Sequence, residues 1–421
     1  MDRCPSGVAS APESAIQARS SPEIPANGGD RHSVSPIVER LMRPKSGLAA
    51  LRWPALGMLA ALSVAGPVLA AAPPAQPAEG PGGVGDKAAT ITKRAVGKAS
   101  AATYAFYKAG PAPEGGRPVA VFLHAWGAPN PQAYGAWIDH LARHGWLVLF
   151  PRFQEVNRTR PSDAPAIAAR LLKSALADLA GDADAKPDTG RLALIGHLAG
   201  APLAAHLAAE AAQEGLPAPK LVYVVMPGGI ARDAKSRGIP LGDLDGMSPK
   251  TLLVTVIGDR DARAADAAAR RILRDARSVP PERKLLVRAL SDDHGFPALT
   301  ATLASPAGLD AAYDGGAIKL PPDPPGEKPP PFRWSADMSL SGEQTTLVSQ
   351  INNARADSLD FLAFWRTFDM AATAAFAGKD AQSLKNDPAF SDMRRWGDGW
   401  PVKRLGVEMP KVPATPAAVQ R

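Results

Sequence analysis

The stretch Arg191-Leu192-Ala193-Leu194-Ile195-Gly196-His197-Leu198-Ala199-Gly200 carries the reading of this chain. An apolar run, a G-x-L-x-G pentapeptide and the Ala-rich run 201–212 spell a strand, a sharp turn and a helix. In a G-x-S-x-G turn of this kind the central serine stands at the C-terminal end of its strand, exposed for nucleophilic attack. Both glycines are present. The central position holds Leu198, which has no hydroxyl to activate.

Outward from the turn, apolar runs of strand length recur at 119–123, 146–150, 192–195, 221–226, 252–257 and 285–289, and 103–107 reads as an earlier strand. Helical stretches at 132–143, 164–179, 199–212 and 262–276 alternate with them. Continuous apolar strands separated by helices predict an α/β fold, a mainly parallel central sheet with helices on both faces. The stretch 352–377 reads as the last helix, with Leu359, Leu362, Phe364, Phe368 and Met370 on its apolar face.

The remaining chemistry follows in the order nucleophile, acid, histidine. Strand 252–257 runs into Gly258-Asp259-Arg260-Asp261, where Asp261 is the better-spaced carboxylate and Asp259 the alternate. His294 follows the next strand, in Ser291-Asp292-Asp293-His294-Gly295. A histidine there takes a proton from a nucleophile while the carboxylate fixes its tautomer. Strand 119–123 leads into His124-Ala125-Trp126-Gly127, so that the backbone amides of Trp126 and Ala199 form an expected oxyanion hole. Ala125 stands where glycine is usual, a strain if that position needs a positive φ. Tyr134 and Trp126 are the candidate substrate-binding residues, with Trp137 and Phe153 as further aromatics for the pocket or the core. His197 is the one substitute nucleophile to consider, but it precedes the turn and points away from the pocket mouth.

The segments VFLHAWGAPNPQAYGAWIDHLARHGWLVLFPRFQ, LALIGHLAGAPLAAHLA, TLLVTVIGDRD and SDDHGFPAL, with the C-terminal RRWGDGWPVKRL, resemble bacterial α/β-hydrolases of the esterase and dienelactone-hydrolase-like type, related in pattern to chlorophyllase and lipase-like enzymes. The resemblance implies the α/β-hydrolase fold and an acyl-enzyme mechanism, with serine at position 198, Asp261 orienting His294 and amides of Trp126 and Ala199 holding the oxyanion. Asp261 and His294 match that pattern; Leu198 and Ala125 depart from it. The expected function is therefore that of a carboxylic-ester-hydrolase-type protein impaired at its nucleophile. The alternative is a pseudoenzyme that binds a small-molecule ester, another apolar ligand or a partner in the former acyl pocket.

Composition narrows the field. The 421 residues are 45% hydrophobic, enough for a large core. Cys4 is the single cysteine, which excludes an intramolecular disulfide and Cys-ligated clusters. The seven histidines lack H-x-x-H or H-E-x-x-H spacing, so neither metal nor cofactor is expected. The net charge of +7 is interspersed, with no basic stripe, and no nucleic-acid partner is expected.

Residues 1–41 are polar, rich in Ser, Pro and Ala and without periodicity, so the expectation is disorder, or a translation start at Met42. Residues 42–71 read as a secretory signal, with Arg43, Lys45 and Arg52 as the basic flank of the apolar run 51–72 and small residues near Ala70. An uncleaved signal is the one membrane contact foreseen. Residues 72–100 read as a Pro/Gly/Ala linker, 101–405 as the hydrolase-like domain with a Pro-rich insertion at 304–345, and 406–421 as a tail. The protein is expected to be periplasmic or secreted, with a mature chain beginning near Ala71 or Ala72. Intact-mass measurement on exported material checks this, and a membrane-bound chain that keeps residues 51–72 contradicts it.

Overall fold

The computed structural model describes residues 71–98, 101–233, 235–260, 263–322, 332–342 and 345–410. Nine strands form one sheet: β1 (Ile91–Val96), β2 (Thr103–Lys108), β3 (Arg117–Leu123), β4 (Leu147–Pro151), β5 (Pro187–His197), β6 (Leu221–Val225), β7 (Leu252–Ile257), β8 (Lys284–Arg288) and β9 (Gly406–Glu408). Their order is β1-β2-β4-β3-β5-β6-β7-β8-β9. The strands from β4 through β8 run parallel, while β1, β2 and β9 are antiparallel additions at the edges. This is the α/β-hydrolase fold. Every residue of β4, β6 and β7 is buried, as a strand covered on both faces requires.

Helices α1 (Gly135–Arg143), α2 (Ala164–Leu179), α3 (Gly200–Ala209), α4 (Arg263–Asp275), α5 (Thr345–Asn353), α6 (Arg366–Phe376) and α7 (Ala381–Asn386) surround the sheet. On one face Trp137 of α1, Tyr223 of β6 and Phe368 of α6 meet edge to face, with centroids 5.4–6.2 Å apart. That geometry adds about 1 kcal/mol per pair to their area burial. The Tyr223 hydroxyl is satisfied by the Thr367 hydroxyl at 2.7 Å.

Three sequence boundaries differ in the structure. Of the stretch 72–100, read as a linker, residues 72–98 are described, and with Ala71 they form an ordered arm that carries β1. The Ala71 and Ala72 carbonyls accept hydrogen bonds from the amides of Phe296 and Gly397, and the Pro74 carbonyl accepts one from Ser358. Farther along, the Gly82 amide donates to Asp369, and His140 binds the Gly83 carbonyl. The expected helix 352–377 is also divided. Asp357 accepts the Leu359 amide while Asp360 accepts the Asp357 amide, a reciprocal cap that starts a new helix with a π-helical turn at Asp360–Trp365. The expected tail contributes β9, which extends the sheet beyond β8. Residues 1–70 lie outside the described residues, as does 323–331 of the Pro-rich insertion; among the described residues no helix is long and apolar enough to cross a membrane.

The turn between β5 and α3 leaves no room for side chains at its two glycines. A Cβ on Gly196 would overlap the Gly200 carbonyl, and one on Gly200 would overlap the Leu123 carbonyl at the end of β3. Gly200→Ala should therefore destabilise the protein by about 3 kcal/mol, the upper range for overpacking against backbone that cannot move aside. A melting curve against the parent checks this, and an unchanged midpoint refutes the packing account.

Candidate functional site at the β5–α3 turn

Leu198 occupies the tip of the turn with φ at +49°. For a side chain without local hydrogen bonding this conformation costs roughly 1–2 kcal/mol. The surroundings hold it there: its amide donates to Val225 of β6, and its carbonyl accepts from Ala201 and Gly228. The side chain is half-buried, with Cδ2 on the Gly228 backbone. The strained geometry that displays a nucleophile is thus present and displays an aliphatic group. Met226, directly after β6, is also left-handed at +47°, and its sulfur accepts the Gly258 amide.

The loop after β3 supports the turn from the side. Its positive φ falls on Gly127, at +88°, and not on Ala125, so alanine there carries no backbone penalty. The Ala125 amide is taken by the Tyr134 hydroxyl at 3.0 Å and the Gly127 amide by Gln154 at 2.9 Å. Among the described residues neither the Trp126 nor the Ala199 amide donates to a protein acceptor. These are the two amides read from the sequence as oxyanion donors. A cavity of about 340 Å³ lies beside this loop, with Gln154, Arg152 and Arg158 on its wall.

Beneath the turn lies a closed hydrogen-bond chain. His197 binds the Leu303 carbonyl through Nε2 at 2.8 Å, so Nε2 carries the proton and Nδ1 is left as an acceptor. The Tyr134 hydroxyl donates to that Nδ1 at 2.8 Å while accepting from Ala125. Burial holds His197 down at about 4, and it raises the Tyr134 phenol. His197 is consequently a neutral structural group and not a substitute nucleophile. Tyr134 is wholly buried in this chain, which removes it from the pocket wall, and Trp126 is buried as well. His124 is stacked 4.1 Å from the Phe153 ring, donates Nδ1–H to the Ala125 carbonyl, and is likewise lowered to about 4 by burial.

Of the expected acid–histidine pair, Asp261 lies outside the described residues. Asp259 binds both the amide and the hydroxyl of Ser291 and so ties the loop after β7 to the loop after β8. His294 is held by another partner. Its Nε2 lies 2.7 Å from Asp398, and its ring stacks on Trp400 with centroids 5.4 Å apart. Asp398 also accepts the Trp400 amide, closing the turn that presents both groups. That hydrogen bond and the contact with His294 hold its carboxyl below the usual range. The sequence signal for this pairing was Trp396-Gly397-Asp398-Gly399-Trp400, a Gly-flanked Asp between two tryptophans.

A strap crosses the region from the insertion. Arg158 stacks on Phe332 and Arg160 pairs with Asp337, which fixes the strap to the loop after β4. Arg237 binds the Ala336 carbonyl and the Ser339 hydroxyl, which fixes it to the loop after β6. Leu340 thereby packs against Gly229, as does Ala199 of the turn. Among the described residues no group of three or more His, Cys, Asp or Glu is placed to hold a metal ion.

The chlorophyllase family model matches residues 85–239, from the arm through the loop after β6. Among solved structures, the chain is similar to carboxyl esterase 2 of the mycorrhizal fungus Tuber melanosporum, at 15% identity over 49% of this chain and 76% of that one, with a TM-score of 0.37. It is likewise similar to a thermostable esterase of Pseudomonas putida, at 16% identity over 48% and 73% of the two chains, again with a TM-score of 0.37. No curated protein matches the chain.

The two neutral buried histidines predict the acid limb of stability. Both have folded-state values below the ordinary value near 6.5, so the unfolded chain binds more protons between about pH 6.5 and 4. Stability is full above that window and falls as pH drops through it, by up to about 3 kcal/mol per histidine. Urea unfolding at pH 7 and pH 4.5 should show the loss, and His124→Asn should make it shallower. A pH-independent midpoint contradicts the assignment.

Proposed function

We propose that this chain is an exported protein built on a carboxylic-ester-hydrolase frame, holding an apolar or acyl-bearing small molecule at the former nucleophile position without turning it over. The observation that carries this reading is Leu198, an aliphatic side chain at the strained tip where a nucleophile would stand. Acyl transfer begins with a lone pair on the attacking atom, and leucine has none. The chlorophyllase match across residues 85–239 and the amides of Trp126 and Ala199, without an acceptor among the described residues, support the hydrolase frame. Leu340, carried by a strap fastened at both ends, sits at Gly229 beside the Gly228 that Leu198 meets, which supports retention of an apolar group. Export rests on the basic-apolar-small order of residues 42–71.

His294 keeps a carboxylate partner in this reading, with Asp398 as the residue that orients it. Removing a serine nucleophile from such a frame costs about 10⁶ in kcat. Leu198→Ser is therefore expected to raise hydrolysis of p-nitrophenyl acetate by about 100-fold or more over the parent. Adding His294→Ala should return it to the parent rate. A parent turnover within the ordinary enzyme range, about 1–10³ s⁻¹, overturns the non-catalytic reading. A folded Leu198→Ser protein with no gain overturns the hydrolase-frame reading.

A further inference from the structure

The opposite end of the sheet carries a second site. The turn at Leu198 follows the C-terminal end of β5, whereas Lys284 is the first residue of the parallel strand β8. Beside Lys284 a cavity of about 840 Å³ opens between α4, β8, β9 and α7. That volume lies within the range of small-molecule sites. Its wall is apolar at Leu273, Val279, Leu286, Val407 and Met409.

The charged residues of the cavity are unequally paired. Arg270 meets Asp266 and Glu408, Arg274 meets Asp275, and Arg277 meets Asp245. The side-chain ammonium groups of Lys284 and Lys385 make neither a hydrogen bond nor an ion pair among the described residues. Lys385 is exposed at the rim, on α7. Lys284 is different: it is only 6% exposed, yet it contributes to the cavity wall. Burial depresses its pKa, and the field of Asp245, already taken up by Arg277, opposes that shift only in part. The Lys284 stem is covered and its ammonium stands in a partly desolvated setting without a counter-ion, so an anion arriving beside it from the cavity would be stabilised.

We propose that this cavity binds a single-chain amphiphilic anion, a carboxylate with an apolar tail, its head taken by Lys284 and Lys385 and its tail laid along Leu273, Leu286 and Met409. The charge selects the head group. The five apolar side chains select the tail, since each buried methylene contributes about 0.8 kcal/mol. This site is separate from the turn at Leu198 and does not depend on the function proposed there.

Equilibrium dialysis of the full chain with dodecanoate and with dodecanol, below their aggregation limits, tests the assignment. Dodecanoate should bind one per chain and at least about tenfold more tightly than the uncharged alcohol, the scale of one charge-assisted contact. Lys284→Met keeps the apolar stem and removes the charge, and it should bring dodecanoate down to the level of dodecanol. Lys385→Ala, at an exposed position with no risk to folding, should weaken dodecanoate alone. Met409→Trp should weaken both ligands by filling the wall. Equal affinity for acid and alcohol overturns the proposal. So does dodecanoate binding that survives both lysine variants but is lost in Leu340→Trp, which would place the ligand under the strap.

Discussion

The close approach of α3 to the end of β3 sets the terms for the rest of the molecule. Gly200 brings its backbone against the Leu123 carbonyl, and Gly196 does the same against Gly200. With strand and helix that near, the chain reverses within two residues, Leu198 and Ala199. The reversal forces Leu198 into the left-handed region, and the hydrogen bonds to Val225, Ala201 and Gly228 keep it there. The same contact places the loop after β3 beside the first turn of α3. Among the described residues the amides of Trp126 and Ala199 have no protein acceptor at that junction.

Around this junction the polar groups divide into a sealed set and an open set. Tyr134, His197 and the Leu303 carbonyl form a buried chain in which the acceptors determine every proton. Such a chain rigidifies the floor and has no chemistry to offer. His294 and Asp398 are the open set, half-exposed and braced by Trp400. A histidine in that position keeps access to solvent and to a second ligand. The rim thus holds a polar histidine–aspartate pair while the centre is aliphatic.

The parallel strands and the turn were legible in the sequence because local rules produce them. Burial on both faces makes 221–226 and 252–257 continuous apolar runs, and steric necessity leaves glycines at 196 and 200. Edge strands are harder to read. In Ile91–Val96 polar Thr92, Lys93 and Arg94 interrupt the apolar pattern, since an edge strand is only partly covered, and the Pro/Gly-rich arm before it masks the boundary. β9 has three residues, too few for any periodicity. The pairing of His294 with Asp398 was beyond local reading for a different reason. It joins two loops far apart in the chain, and only their docking brings the carboxylate to the ring. Ala125 taught the reverse lesson: a departure from the expected glycine costs nothing, because the loop puts its left-handed residue two positions later.

The arm at residues 71–83 joins distant parts of the chain in time as well as in space. Ala71 and Ala72 find their partners at Phe296 and Gly397, and Gly82 finds its partner at Asp369. Contacts of such long sequence separation raise the contact order and slow folding. During synthesis the arm emerges before any of these partners exists, and it must wait unpaired until the loop after β8, helix α6 and the segment beyond α7 follow. The strap of hydrogen bonds along the arm therefore closes last. These arm positions therefore keep their hydrogen-bonding groups free until the chain has been made through Gly397.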